Sequence, residues 1–124
     1  MKQTVLSILF IMLMSMVGVK AYAYDIAVKN ADGVPIYYNY INNGAELEVT
    51  IRSRYDISYT GNVNIPESVT YKNRTHSVTS IGGYAFYNCS GLNSVTIPNS
   101  VTYVGEYNQE IKGETNVEII PLNA

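Results

Sequence analysis

The sequence predicts an all-β protein in which a small N-terminal β meander leads into a short, repetitive parallel β solenoid with a degenerate last coil. The first observation is that apolar and polar residues alternate with period two between residues 24 and 71, as in half-buried strands. The second is a unit that recurs in the C-terminal half, with Ser77 returning as Ser100 and Pro98 as Pro121. Such recurrence is typical of coils that stack on copies of themselves. After Ala23 the sequence shows no sustained helical period.

The N-terminal segment 1–23 has the pattern of a signal peptide. Lys2 is followed by an uncharged, mostly apolar run at residues 5–19 and by Ala-Tyr-Ala at residues 21–23. We therefore expect cleavage after Ala23 and a protein that is secreted or held at the cell surface. The alternative is an uncleaved membrane anchor, but the run is shorter than the roughly 20 residues that a spanning helix needs. No integral membrane span is expected after cleavage.

Composition and charge argue against several classes of function. Cleavage removes Lys2 and Lys20, which moves the formal net charge from −2 for the whole chain to −4 for the segment 24–124. An acidic chain without a basic stripe is a poor nucleic-acid binder, because phosphate contacts dominate that affinity. The single cysteine, Cys89, allows neither an internal disulfide nor a cysteine metal cluster. The sequence has no phosphate-binding glycine loop, and we expect no cofactor and no metal.

Residues 24–71 are predicted to form the N-terminal β region. Turn clusters rich in Asn and Gly separate three alternating segments, at residues 25–29, 34–41 and 46–52. In the last segment Leu47, Val49 and Ile51 face one side, and polar residues face the other. This alternation indicates a strand with one buried face.

Residues 72–124 are predicted to form the repetitive coils. The lead SVTSIG at residues 77–82 recurs as SVTYVG at residues 100–105, at an offset of 23. An earlier partial copy, GNVNIPESVT at residues 61–70, aligns with NSVTIPNSVT at residues 93–102 at an offset of 32. The additional residues carry Lys72, Arg74 and His76, so residues 72–76 are predicted to be an exposed loop. The complete repeat covers residues 77–105.

The complete repeat carries the pattern I-G-x-x-A-F-x-x-C-x-x-L-x-x-V-x-I-P-x-S-V. Its positions are occupied by Ile81, Gly82, Ala85, Phe86, Cys89, Leu92, Val95, Ile97, Pro98, Ser100 and Val101. This pattern resembles the BspA-like leucine-rich repeat of bacterial cell-surface proteins. The resemblance implies a leucine-rich-repeat-like solenoid and a role in adhesion or protein binding. Alternation within the short strand at residues 94–97 turns Val95 and Ile97 inward and leaves Ser94 and Thr96 on an open face.

The last copy, residues 106–124, keeps the repeat frame and loses its apolar interior. At the offset of 23, four interior residues are replaced by Asn108, Gln109, Lys112 and Thr115. Because solenoids close their ends with polar units, this degenerate coil is interpreted as a cap. The alternative is the meaningless tail of a truncated or frameshifted gene. Strict alignment turns Glu118 inward, so we expect a slip or bulge near this position.

Candidate catalytic residues are few. His76 is the only histidine and has no identifiable catalytic partner, so it is interpreted as a surface residue. Cys89 occupies an interior repeat position and is expected to be a buried, unreactive side chain. We therefore predict that the protein is not an enzyme, and an unrecognised hydrolase is the least favoured class.

The candidate partner-binding face combines the open strand positions with a tyrosine-rich strand. The offset of 32 sets Asn62 beside Ser94 and Asn64 beside Thr96. Tyrosine is common at binding surfaces but equally common in strands, so both roles stay open for the tyrosines Tyr37, Tyr38 and Tyr40. The expected partner is an unidentified protein or cell-surface ligand. The alternative function is a structural or assembly unit, or a non-functional fragment of a larger leucine-rich repeat adhesin.

Overall fold

The computed structural model describes residues 23–108 and 118–121. Within them the chain forms nine strands and one 3-10 turn, Asn42–Gly44. The strands are β1 (Ile26–Lys29), β2 (Pro35–Ile41), β3 (Glu46–Thr50), β4 (Gly61–Asn64), β5 (Ser68–Tyr71), β6 (Arg74–Ile81), β7 (Leu92–Ile97), β8 (Tyr103–Val104) and β9 (Glu118–Pro121). The all-β prediction is confirmed. The predicted signal peptide, apart from Ala23, and the cap positions Gln109, Lys112 and Thr115 lie outside the described residues.

The larger sheet has the order β1-β2-β3-β6-β5, and β8 also pairs with β6. Its first three strands are the predicted antiparallel meander, with Ile26 opposite Tyr38 and Tyr38 opposite Val49. Beyond β3 the pairing becomes parallel: Leu47 lies opposite Val78. Strand β8 pairs in parallel with β6 through Ser80 and Tyr103, which is the offset of the two leads in the sequence.

The smaller sheet has the order β4-β7-β9, and all its pairs are parallel. Val63 lies opposite Val95, in the register that the partial copy predicted. Val95 in turn lies opposite Ile119, one position beyond the frame of the repeat. The expected slip near Glu118 is therefore confirmed, and it gives Ile119 the register position of Val95.

The parallel solenoid is not confirmed as a whole, because the larger sheet is mixed. Strands β5 and β6 form an antiparallel hairpin in which Tyr71 lies opposite Arg74. The residues of its tight loop, Lys72 and Asn73, have positive φ angles of 49° and 64°. Such angles are those of a type I′ turn, whose twist matches that of the flanking strands. The additional residues before the repeat thus fold back as a strand pair.

This hairpin also corrects the interpretation of His76. Residues 72–75 are exposed as predicted, but His76 is only 4% exposed. It lies on β6 two positions before the buried Val78, and alternation turns both side chains inward. Its Nδ1 lies 2.7 Å from the Gly44 carbonyl oxygen, and its ring packs edge-on against Tyr40. The prediction of a surface histidine is wrong, because the residue belongs to a strand and not to a loop.

The core lies between the two sheets and the turns that join them. The predicted interior residues Ile81, Ala85, Phe86, Cys89, Leu92 and Val95 are all buried, and Ile97 is partly buried. The Phe86 ring packs on Tyr59 with a centroid distance of 4.8 Å. Burial of a side chain of this size contributes about 1.5–3 kcal/mol. The repeat pattern thus identified the core of this half of the chain correctly.

The last coil begins with a buried polar residue. Asn108, which takes the frame position of Ala85, is buried. Its Oδ1 accepts from the Phe86 N–H at 2.9 Å, and its Nδ2 donates to the carbonyl oxygens of Gly82 and Gly105 at 3.1 and 2.9 Å. The side chain therefore satisfies backbone groups of two turns at once.

Candidate functional site

The predicted open face is formed by two neighbouring parallel strands. Asn62 lies beside Ser94, and Asn64 lies beside Thr96, as the repeat offset predicted. The Ser94 Oγ donates to Asn62 Oδ1 at 2.9 Å. Asn62 and Asn64 are exposed, Ser94 and Thr96 are half-buried, and the intervening Val63 and Val95 are fully buried. We call these four polar residues the strand face.

A turn of the N-terminal meander borders the strand face. Asn30 Nδ2 donates to the Asn64 carbonyl oxygen at 2.9 Å, and Asn64 Nδ2 donates to Asp32 Oδ2 at 2.6 Å. Asn30 Oδ1 in turn accepts from the N–H groups of Asp32 and Val34, which fixes the turn. The turn therefore adds a carboxylate to the edge of the strand face. The sequence identified the turn but gave no signal for this long-range contact.

The tyrosine-rich strand does not join the strand face as expected. Tyr38 is 1% exposed and Tyr37 is also buried, with its ring packed on Tyr24 and Tyr59 at 5.0 and 5.8 Å. Both side chains face the core and cannot reach a partner, which corrects the prediction for these two residues. Burial raises the pKa of the Tyr38 hydroxyl. Tyr40 is 37% exposed, and its role in binding stays a prediction.

Three other tyrosines form a continuous aromatic surface on the turns of the repeat. The rings of Tyr84 and Tyr107 stack at 4.5 Å, and Tyr87 packs edge-on against Tyr84 at 5.4 Å. Each of the three residues is 45–47% exposed. We call Tyr84, Tyr87 and Tyr107 the aromatic platform. Tyr107 repeats Tyr84 in the frame of the repeat, a recurrence that was visible in the sequence.

The backbone places the rings of Tyr84 and Tyr107 at equivalent positions of two successive repeat copies. Tyr84 and Tyr107 have positive φ angles of 66° and 60°, and the Tyr84 N–H donates to the Glu106 carbonyl oxygen at 2.9 Å. A Cβ at Gly105 would lie 2.8 Å from Gly83 Cα, so this close approach of the two turns requires glycine. Desolvation, together with the neighbouring Tyr107 and Glu106, raises the pKa of the Tyr84 hydroxyl.

A groove of about 630 Å³ lies between the aromatic platform and the loop that follows β3. We call it the tyrosine groove. Its lining residues are Ala23, Thr50, Ile51, Ser53, Arg54, Tyr55, Asp56, Ile57, Ser58, Gly83, Tyr84, Tyr87 and Asn88. Tyr55 is 89% exposed, and Ile57 is also exposed. The sequence did not predict this groove, because its walls come from segments that are far apart in the chain.

The loop wall of the groove is held by hydrogen bonds. The buried Tyr59 hydroxyl donates to the Thr50 carbonyl oxygen at 2.5 Å and accepts from the Tyr37 N–H at 3.1 Å. Within the loop, Ser53 Oγ accepts from the Tyr55 N–H and donates to Asp56 Oδ2, both at 3.2 Å. The loop thus has a defined shape that leaves Tyr55 in solvent. Burial raises the pKa of the Tyr59 hydroxyl well above its ordinary value.

The residues considered for catalysis or metal binding line neither surface. Cys89 is buried, as predicted, and its Sγ faces the Tyr87 carbonyl oxygen at 3.8 Å. His76 lies on the larger sheet between Gly44 and Tyr40. Over residues 23–108 and 118–121, no three His, Cys, Asp or Glu side chains are grouped so as to hold a metal ion. In the same part of the chain, no helix is long and apolar enough to span a bilayer.

Comparison with known families confirms the resemblance drawn from the repeat pattern. A family model described as a BspA type leucine-rich repeat region (6 copies) matches residues 62–119. This segment runs from β4 into β9 and includes the strand face. The matched segment, just under half of the chain, is thus similar to BspA-type leucine-rich repeats.

Solved structures of bacterial leucine-rich repeat proteins are similar to this chain. One, from Bacteroides ovatus ATCC 8483, is 33% identical with a TM-score of 0.60, over 78% of this chain and 23% of that one. Another, from Bacteroides capillosus ATCC 29799, is 24% identical with a TM-score of 0.52, over 77% of this chain and 67% of that one. The chain thus spans about a quarter of the Bacteroides ovatus protein. The comparison with curated proteins gives no match.

Proposed function

We propose that this is a secreted or cell-surface, non-enzymatic binding protein that holds a protein partner on its strand face. The observation that carries the proposal is the parallel register of β4 and β7, which brings four polar side chains together on the outer side of a fully buried valine pair. Outward positions of this kind are free to change without loss of the core. The BspA-type repeats support a role in protein interaction.

The polar groups of the strand face determine which kind of partner it can bind. Asn62, Asn64, Ser94 and Thr96 offer amide and hydroxyl groups, and Asp32 adds one negative charge at the edge. A partner that donates hydrogen bonds or carries a positive charge is favoured there. Because binding hot spots usually involve Trp, Tyr or Arg, the strand face alone gives weak affinity.

Export to the cell surface is part of the proposal. It rests on Lys2, the apolar run at residues 5–19 and the Ala-Tyr-Ala site that ends at Ala23. N-terminal sequencing of the exported protein is expected to begin Tyr-Asp-Ile. Retention of Met1 in a membrane fraction would contradict it.

We also propose that the parallel pairs form a short solenoid whose last coil is a cap. Two sets of parallel strands support this, β3-β6-β8 and β4-β7-β9. Asn108 supports the cap, because its amide pairs with backbone groups that are otherwise left at the end of the complete coil. A buried, fully paired amide is expected where apolar stacking ends.

The proposed function is tested by charge on the strand face. The exported protein is used as bait for extracellular-matrix and cell-surface proteins, alongside a variant that combines Ser94→Lys with Thr96→Lys. The variant is expected to fold and to lose the captured partner. A matched control combines Ser68→Lys with Thr70→Lys, which adds the same charge at exposed positions of β5. Capture that is equal in both variants would overturn the proposed function.

A further inference from the structure

We propose that the tyrosine groove binds a neutral glycan chain, with the flat faces of its sugar rings against Tyr55, Tyr84 and Tyr87. This site is separate from the strand face, and the proposal does not depend on a protein partner there. It adds a second ligand class to the molecule. Four observations support it: the exposed rings, their continuity, the polar lining and the balance of charge.

The exposed rings are held on a built scaffold. Tyr55 is 89% exposed at the tip of a loop that Ser53 and the buried Tyr59 hold in shape. Exposed aromatic side chains on an ordered loop are costly to hydrate, and they commonly mark a binding site. The fixed backbone also means that little ordering is needed when a ligand binds.

The close packing of the platform rings favours a ligand with a flat face over one that inserts between the rings. Tyr84 and Tyr107 stack at 4.5 Å, and Tyr87 meets Tyr84 edge-on at 5.4 Å. Tyr107 therefore covers one face of Tyr84, and the three rings pack together without a slot between them. A proline-rich peptide in the polyproline II conformation needs aromatic grooves that accept its rings, so this surface fits it poorly. A pyranose ring whose substituents are equatorial presents a flat face of C–H groups, which packs on the negative face of an aromatic ring.

The polar lining supplies the hydrogen bonds that sugar hydroxyls require. Arg54 contributes guanidinium N–H donors, and Asp56 contributes carboxylate acceptors. Ser58 and Asn88 add a hydroxyl and an amide group along the same walls. Neighbouring hydroxyls on one sugar ring match such mixed donors and acceptors.

The charge of the groove favours a neutral ligand. Among the described lining residues, the charged side chains are Arg54 and Asp56, which cancel. Stacked nucleic-acid bases would also suit an aromatic platform, but their backbone requires a positively charged groove. The volume of about 630 Å³ lies within the roughly 300–1,000 Å³ of small-ligand sites. The predicted cleavage after Ala23 removes one lining residue and leaves the three tyrosines in place.

The test uses two neutral probes, the hexamers of β-1,4-linked glucose and of β-1,4-linked N-acetylglucosamine. Their equatorial linkages leave flat C–H faces on each ring. Binding to the purified protein is measured by calorimetry and by tyrosine fluorescence, which is free of tryptophan background because the sequence has no Trp. At least one hexamer is expected to bind saturably, with a Kd below about 1 mM.

Tyrosine variants locate the binding. Tyr55→Ala and Tyr87→Ala are each expected to weaken binding about tenfold, a change of ~1.4 kcal/mol. Tyr87→Phe, which keeps the ring, is expected to stay within about threefold. The matched control is Tyr103→Ala, since Tyr103 is 59% exposed on β8 and does not line the groove. The strand-face lysine variant is expected to bind the hexamer normally.

Three results would overturn the proposal. The first is that neither hexamer binds saturably. The second is undiminished binding by Tyr55→Ala. The third is tight binding of a proline-rich decapeptide that the hexamers do not displace, which would assign the groove to a peptide.

Discussion

The strand face and the tyrosine groove are two surfaces of one small molecule with opposite chemistry. The strand face is polar, with Ser94 hydrogen-bonded to Asn62 and Asn64 hydrogen-bonded to Asp32. The tyrosine groove is concave and aromatic, with Tyr55 almost fully in solvent. The first follows from the repeat register, and the second from a contact between two distant segments. The comparison shows that strand pairing within the repeats does not locate every candidate binding surface of the described residues.

The largest expected effect comes from the residue that joins the groove to the core. Phe86 is fully buried and packs on Tyr59, whose hydroxyl holds the loop wall of the groove. Phe86→Ala is expected to lower the free energy of unfolding by about 3–5 kcal/mol. Urea unfolding measures this change. The matched control Tyr103→Ala removes an exposed aromatic side chain and is expected to change stability by less than about 0.5 kcal/mol. An equal loss in both variants would contradict the packing described here.

The next effect concerns the Tyr59 hydroxyl alone. Tyr59→Phe leaves the Thr50 carbonyl oxygen and the Tyr37 N–H without this partner, which is expected to cost about 1–3 kcal/mol at neutral pH. Because burial raises the pKa of Tyr59, the folded protein holds the neutral phenol above the pH at which the unfolded chain ionises. The contribution of Tyr59 to the free energy of unfolding is therefore fully present below about pH 10 and is lost as the pH rises above it. Tyr59→Phe is expected to flatten this alkaline loss, measured by urea unfolding between neutral pH and about pH 11. An unchanged slope would show that Tyr59 ionises freely in the folded state.

The next variant, Asn108→Ala, tests whether Asn108 caps the end of the complete coil, next to Tyr107. Asn108→Ala leaves one backbone N–H and two carbonyl oxygens without the amide, at an expected cost of about 1–3 kcal/mol. Thermal unfolding measures the loss. The control is Asn93→Ala, an exposed asparagine on β7. If both variants are equally stable, Asn108 does not cap the coil.

Replacing Cys89 by serine is expected to lower stability by a similar amount, because it buries a hydroxyl group in place of the thiol. Because Cys89 is buried between turns of the coil, Cys89→Ser is expected to cost about 1–3 kcal/mol if the hydroxyl finds no partner. Thiol labelling of the native protein is expected to be slow and to become fast on unfolding. Rapid labelling under native conditions would show that the repeat register is wrong.

The smallest effect is expected on the strand face. Ser94→Ala removes one surface hydrogen bond to Asn62 and is expected to change stability by less than about 0.5 kcal/mol. Thermal unfolding of Ser94→Ala beside Ser68→Ala, an exposed serine on β5, measures the difference. A loss comparable to that of Phe86→Ala would mean that Ser94 faces the core.

The sequence predicted the features that depend on repetition and on alternation. The offset between the partial and the complete copy gave the pairing of Asn62 with Ser94, and the repeat pattern gave the burial of Phe86 and Cys89. Such features are set by local spacing, which a single sequence displays. They include the need for a slip near Glu118, since strict alignment would have turned a carboxylate inward.

The features that the sequence missed depend on contacts between distant segments. The basic neighbours of His76 predict a loop, but Lys72 and Asn73, with positive φ angles, form the turn of a hairpin that places His76 on a strand. Tyr37 and Tyr38 were candidates for the partner-binding face, with a structural role left open, and the core covers both sides of that strand. The tyrosine groove needs the loop after β3 and the turns of the repeat together, and no local pattern relates them.

The most direct test of the distinction between the two surfaces is an NMR titration of the purified protein with the glucan hexamer or N-acetylglucosamine hexamer that binds. The backbone amides of residues 53–58 and 84–88 line or adjoin the tyrosine groove, and those of residues 62–64 and 94–96 belong to the strand face. We predict saturable shifts in the first set and unchanged positions in the second. Shifts of equal size at the strand face, or shifts confined to it, would contradict the separation of the two sites.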